Sequence, residues 1–296
     1  MRLFSAGGVA VGSLATSYIG VGLSQIRHAD GGKTTTETAQ QFVRTVIKNY
    51  IKKIMNSRKE SLALIESNIN KYGYHTTIVS SNTVPRYAYT IGLSEKFGFE
   101  FILAGAITFL KQDLHNIFNE VVRSLDTTIN IEELVVKIDS LGDFSFSRVD
   151  DSWSNQMMLG VYDFYDSKKI IVYQIKPDKN HYTLDIPNME KKRESHSEPL
   201  WQWLDRDWNL SASKDSSAIT NLDSLRGVPI TEVMRWEESE WEMFAGAGPE
   251  VAKEDVRVVP ISTLLAIDSS LAEALNLEIG KGIWRENFDS KWKKWE

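Results

Sequence analysis

The sequence predicts an α+β fold, a mostly antiparallel sheet with helices on one face, followed by a small C-terminal α+β module. Three observations predict it. The run from Gly73 to Gly105 alternates apolar and aromatic residues, with Pro85 and Gly92 as punctuation, which is the pattern of neighbouring strands. On both sides of it, apolar residues recur at three- and four-residue steps, the period of helices. Between Glu190 and Ser217 the composition turns to Lys, Arg, Glu, Ser and Asp, and the chain beyond is rich in Trp. These breaks divide the 296 residues into an uncharged N-terminal segment with a basic turn (1–33), an α+β domain with preceding helices (34–190), a linker (191–225) and a Trp-rich module (226–296).

Leu3 to Ile26 carries no charge and is long enough to cross a bilayer at about 1.5 Å per residue. Gly7, Gly8, Gly12, Gly20 and Gly22 lower its hydrophobicity. Three readings stand: a membrane anchor or interfacial segment, a cleaved signal peptide with Arg2 as a thin basic start, and a flexible or locally packed N-terminus. If it spans, the basic run from Arg27 to Lys59 places the rest of the chain in the cytoplasm. Gly31-Gly32-Lys33-Thr34 resembles the end of a phosphate-binding loop. That loop needs Gly six positions before its lysine, and Arg27 stands there, so the segment reads as a turn before a helix.

Thr34 and Glu37 have capping-box spacing, and Phe42, Val43, Val46, Ile47, Tyr50, Ile51 and Ile54 form one face of the helix they open. A second helix through Leu62, Ile65 and Ile69 is expected to end at Gly73. After the strands come a helix over Phe109 to Leu125, a shorter one over Ile131 to Ile138, and strands over Phe144 to Val149 and Ile170 to Ile175. In the last module, Ile230 to Trp236 and Trp241 to Phe244 read as a hairpin around Glu237 to Glu240, with a glycine-rich loop after it. Val256 to Pro260 follows as a strand, then short helices over Ser262 to Ile267 and Leu271 to Leu277.

Gly73-Tyr74-His75, then Tyr87 to Leu93, then Gln174, Pro177 and Asp178 with Tyr182 downstream, resemble in order and spacing the bacterial domain of unknown function DUF4262 over about residues 71–189. The resemblance departs after Gly98, where the family has His-Pro-Glu-Leu and this chain has Phe99, Glu100, Phe101 and Ile102. A hydrolytic role resting on that histidine is therefore put in doubt. The tail, with Trp241-Glu242-Met243-Phe244 before a glycine-rich loop and Trp284-Arg285 near the end, resembles accessory modules of uncharacterised and immunity-type bacterial proteins.

Composition narrows the chemistry. The chain has no cysteine, which removes thiolate nucleophiles and Cys-type zinc sites and fits a reducing, cytoplasmic setting. A net charge of −6 argues against a general nucleic-acid binder. The catalytic candidates are His75, Asp178 and His181, because imidazole and carboxylate suit acid–base or metal work; His115, Asp113 and Glu100 are further possible members. No two histidines have the spacing of helix metal ligands, and a lone strand histidine is more often structural, so no metal and no cofactor is expected. Tyr87 and Tyr89 share one strand face and with Thr90 and Gln174 make a candidate polar pocket. Trp236, Trp241 and Trp284 are candidate partner-binding residues, against the plainer reading that they fill a small core.

Two functions follow. The favoured one is a non-catalytic protein-interaction or immunity-type protein that binds a protein partner and associates with a membrane if its N-terminal segment inserts. The alternative is a small-molecule hydrolase or metal-dependent enzyme using the His/Asp site.

Overall fold

The computed structural model describes residues 36–295 apart from 168 and 195, so the anchor, signal-peptide and phosphate-loop readings lie outside the described residues. The chain forms two compact units, one ending at His75 and the other beginning at Thr76.

In the first unit, the two helices expected from the sequence are one, α1 (Thr36–Tyr72). No Gly or Pro interrupts those 37 residues, so nothing stops propagation, and the helix runs about 55 Å. It ends as expected at Gly73, whose φ of 85° lets its N–H turn back to the Ile69 carbonyl at 2.8 Å. Among the described residues no helix is long and apolar enough to cross a membrane.

The second unit holds two six-stranded sheets. The first is built from β1 (His75–Val79), β2 (Tyr87–Ile91), β3 (Glu100–Ala104), β4 (Val136–Ile138), β5 (Gly142–Arg148) and β6 (Val172–Pro177), in the order β1-β2-β3-β6-β5-β4. The short helix α2 (Ser94–Phe97) joins β2 to β3, and α3 (Lys111–Arg123), α4 (Asp151–Met157) and α5 (Leu159–Tyr165) lie along the route from β3 to β6. That long route lets β6 return beside β3 in parallel, while the β2–β3, β5–β6 and β4–β5 pairs are antiparallel. The sheet is thus mixed.

Register explains its two faces. Ala88, Leu103, Tyr173, Ile175 and Phe146 fall on one, joined by Phe101 and Phe144. α3 supplies Leu114, Ile117, Phe118 and Val121 to the core. Tyr87, Tyr89, Ile102 and Gln174 fall on the other face. It too is covered: Tyr87 meets Trp201 edge-on at 6.2 Å, and the Tyr89 hydroxyl abuts Gly160 of α5. Helices on one face alone would leave this row in water, yet β2 and β3 are buried at every residue. The expected helix over 131–138 is a single 3-10 turn (Ile131–Glu133) followed by β4, because Val136 and Ile138 alternate with exposed Lys137 and pair with β5 across a tight turn.

The second sheet has the order β10-β7-β9-β8-β11-β12, from β7 (Ser217–Asn221), β8 (Glu232–Arg235), β9 (Glu240–Phe244), β10 (Val256–Pro260), β11 (Lys281–Trp284) and β12 (Lys293–Lys294). The β8–β9 hairpin and the β10 strand stand where the sequence placed them. The segment expected as a linker is structured: Pro199–Leu204 is a 3-10 helix that buries Trp201, and Ser217–Asn221 is β7, paired parallel to β9. Its polar composition hid the alternation of buried Ala218 and Thr220 with exposed Ile219. α6 (Leu222–Leu225), α7 (Ile261–Ile267) and a 3-10 run (Ser269–Asn276) pack with Ala218, Val233, Trp241, Met243, Val259 and Ile283 into one core.

Long-range hydrogen bonds join the two sheets. The Arg257 guanidinium donates to the carbonyls of Ile107 (2.8 Å) and Thr108 (2.7 Å), and Ser262 Oγ donates to the Thr83 carbonyl at 2.9 Å. The Leu184 N–H meets the Leu225 carbonyl at 2.8 Å.

Candidate functional site

The sequence candidates separate into three places. His75 lies half-buried in the first unit, where its Nδ1 pairs with Asn68 Nδ2 at 2.9 Å, and burial lowers its pKa. Asp178 and His181 are brought together after β6, with Asp178 Oδ1 and His181 Nδ1 2.9 Å apart and the His181 ring stacked on Phe109. The Asp178 carboxylate also accepts the backbone N–H groups of Asp143 (2.9 Å), Asn180 (2.8 Å) and His181 (3.2 Å). Those bonds, the Asp143 one foremost, hold its pKa at about 2.

That depressed pKa carries an expected result. A carboxyl whose folded pKa lies below its unfolded value of about 3.9 stabilises fully above pH 4, and the contribution fades as pH falls toward 2. Asp178→Asn is expected to lose about 1–2 kcal/mol at pH 7 after allowance for partial exposure, and little at pH 2. Urea midpoints of both proteins across that range check it; a gap that does not narrow in acid rules the carboxylate out as its source.

Tyr87, Tyr89, Thr90 and Gln174 are all in the buried centre of the first sheet. Tyr87 and Tyr89 lie side by side with ring centroids 6.3 Å apart, and burial raises both their pKa values. Gln174 Nε2 donates to the Pro187 carbonyl at 3.0 Å. Thr90 Oγ1 donates to Glu100 Oε2 at 2.7 Å, while Glu100 Oε1 accepts from Tyr165 (2.7 Å) and the N–H groups of Gly92 (3.0 Å) and Ser94 (2.9 Å). Both oxygens of that buried carboxyl are therefore occupied, Oε1 in tying α2 and α5 to β3 and Oε2 in tying β3 to β2. His115 is exposed on α3, and Asp113 accepts the Leu110 N–H at the start of that helix. Among the described residues no three His, Asp or Glu side chains converge as metal ligands.

Trp236, Trp241 and Trp284 divide between the faces of the second sheet. Trp241 is core: it is buried, it donates from Nε1 to the Ala274 carbonyl, and Arg235 lies over its ring at 4.7 Å. The other two belong to the opposite face. Register sets Val258 beside Ile219, Ile219 beside Glu242, and Glu242 beside Met234 in one row across four strands. Trp236 lies two residues beyond Met234 and reaches Glu242 Oε2, and Trp284 pairs with Glu232 and Lys293. Trp295 lies over Gly282, which pairs with Met234. The face stays open to solvent: Val258 is 63 % exposed, Trp236 50 %, Trp295 40 % and Ile219 38 %.

Comparison with known families now identifies part of the chain. Residues 68–182 match the family described as domain of unknown function (DUF4262). The DUF4262 match thus runs from the end of α1 through β6 to Tyr182, and takes in Asp178 and His181 but none of the second sheet. No curated protein and no solved structure matches the chain.

Several polar residues escaped the sequence reading. Arg86, Asp185, Arg257, Asp268 and Arg285 are each wholly or largely buried and bonded between segments distant in sequence. A signal existed for two of them, since Arg86 and Arg257 interrupt apolar strand runs, where a charge needs a specific partner. Their partners are backbone carbonyls, which leave no trace in a sequence.

Proposed function

We propose that this chain is a non-catalytic protein-interaction protein of the immunity type, and that it binds its partner through the open face of the second sheet. The carrying observation is that Val258, Ile219 and Met234 share one row with Glu242, beside the exposed Trp236 and the partly exposed Trp284, since aromatic groups beside aliphatic ones concentrate binding energy. Glu232, Glu240 and Glu242 run through the same face, so the favoured partner surface is apolar with a basic rim. The immunity assignment is supported by the resemblance of the Trp-rich tail. A cytoplasmic setting goes with it, on the ground of a cysteine-free composition.

The alternative, a small-molecule hydrolase on Asp178 and His181, draws on their 2.9 Å contact. Two of the three backbone bonds to the same carboxylate, from Asn180 and His181, are those of a turn, and the third, from Asp143, ties that turn to β5; together they favour the structural role.

Affinity capture from the native host, followed by titration of the captured partner against variants, tests the interaction reading. Trp236→Ala is expected to weaken binding tenfold or more while shifting unfolding stability by no more than about 0.5 kcal/mol. Equal affinity of Trp236→Ala, Trp284→Ala and the parent chain for every captured protein counts against the reading.

A further inference from the structure

Much of α1 stands in water. From Thr45 to Glu60 every described side chain is exposed except that of Val46, which is half-buried, whereas Leu62, Ile65 and Ile69 nearer its end are buried or half-buried. A helix draws most of its stability from packing an amphipathic face, and about four turns of α1 are without that support.

The charge of this stretch is one-sided. Between Glu37 and Glu60 stand Arg44, Lys48, Lys52, Lys53, Arg58 and Lys59 and no acidic residue, in a chain whose net charge is −6. At about 100° per residue, Lys48, Lys52 and Lys59 fall within about 40° of one another around the helix. Met55 and Ile47 occupy the adjoining sector, about 20° and 100° from Lys48. Both are in water, Ile47 being 45 % exposed and Met55 65 %. Lys48 and Lys52 are like charges four residues apart, and they repel each other there. The helix thus presents a row of ammonium groups beside exposed apolar ones.

We propose that this stretch of α1 lies on the surface of an anionic lipid bilayer, with Ile47 and Met55 set between the head groups and Lys48, Lys52 and Lys59 beside their phosphates. An interfacial helix needs cations and apolar groups side by side, since the charges draw it to the surface and the apolar groups bury there. Two other occupants fit worse. A second α1 would set like charges together, with no acidic residue between Glu37 and Glu60 to pair across the contact. A nucleic acid would satisfy the lysines and leave Ile47 and Met55 in water. The contact is also distinct from any insertion of the uncharged run Leu3 to Ile26, because only the lysine row depends on the charge of the lipid.

Flotation of the full chain with vesicles of neutral phosphatidylcholine, and with equimolar phosphatidylcholine and phosphatidylglycerol, tests the proposal. At about 0.1 M salt the chain is expected to partition at least tenfold better onto the anionic vesicles, and about 1 M salt is expected to remove most of that preference. Changing Lys48, Lys52 and Lys59 together to Gln is expected to weaken anionic binding about a hundredfold, and Ile47→Ser with Met55→Ser about tenfold. The three lysines are exposed and Gln is as good a helix former as Lys, so the helix content of the lysine variant is expected to match the parent by circular dichroism. Equal binding, or none, to the two kinds of vesicle overturns the proposal. Undiminished anionic binding by the lysine variant does so too, and so does a DNA duplex that displaces the parent chain from the anionic vesicles at the same salt.

Discussion

Asp268→Ala is expected to cost the chain about 3–5 kcal/mol, because it leaves a guanidinium buried without its counter-charge. Arg285 and Asp268 form an ion pair whose side chains are almost wholly out of water. The pair is also fully bonded: Asp268 Oδ1 accepts from the Ser270 N–H (3.0 Å) and hydroxyl (2.6 Å), while Arg285 donates to the Ile230 carbonyl (2.8 Å) and Ser270 Oγ (2.8 Å). Its guanidinium also lies over the Trp292 ring, 4.2 Å from the centroid. Removing one charge strands the other. Removing both and filling the space, as in Asp268→Leu with Arg285→Met, is expected to cost less than the single change, since two desolvation penalties vanish together. Urea unfolding of the single and double variants decides it, and a double variant as unstable as the sum of the single ones would falsify the pairing argument.

Trp201→Ala is expected to be about as damaging, at about 3–5 kcal/mol. The indole is completely buried, touching Tyr87 edge-on at 6.2 Å and Trp153 at 6.3 Å, and its Nε1 donates to the Asp185 carbonyl at 3.0 Å. Truncation therefore leaves a large cavity over β2 and an acceptor without its donor. In a domain of this size the loss corresponds to a fall of roughly 8–15 °C in Tm. Scanning calorimetry of Trp201→Ala beside Trp295→Ala checks it, because the second tryptophan is 40 % exposed and its loss leaves no internal cavity. Equal shifts in both would show that the 3-10 segment does not hold the first sheet together.

Much of the first sheet was legible. β2, β3, β5 and β6 lie within a few residues of where alternation set them, and α3 keeps the face that three- and four-residue spacing assigned to it. The sequence predicts two helices in place of α1 because apolar spacing lapses between Ile54 and Leu62, yet a solvated helix surface needs no apolar residue. α4 and α5 gave no periodic signal, since each is only seven residues long. β7 was concealed by its polar neighbours, and β11 and β12 by their brevity.

The candidate sites divide in the same way. The sequence offers His75 as the partner of Asp178 or His181, whereas the structure pairs Asp178 with His181, three residues on, and His75 with Asn68. The common face of Tyr87 and Tyr89 followed from the two-residue strand period. That Trp236 and Trp284 share the open face while Trp241 turns inward depends on pairing among β8, β9 and β11, which alternation within one strand cannot reveal.

By itself the sequence determined what is local: the strand and helix periods, the stop of α1 at Gly73, the Asp178 turn and the DUF4262 signature. Those depend on residues a few positions apart, where backbone geometry alone decides who meets whom. Only the tertiary structure decided which strands run parallel, which face of the second sheet meets water, and that Arg86, Asp185 and Thr263 line one partly open pocket. These meetings join residues up to 177 positions apart (Arg86 to Thr263), and burial of the whole core, rather than any neighbour in the chain, fixes where they end.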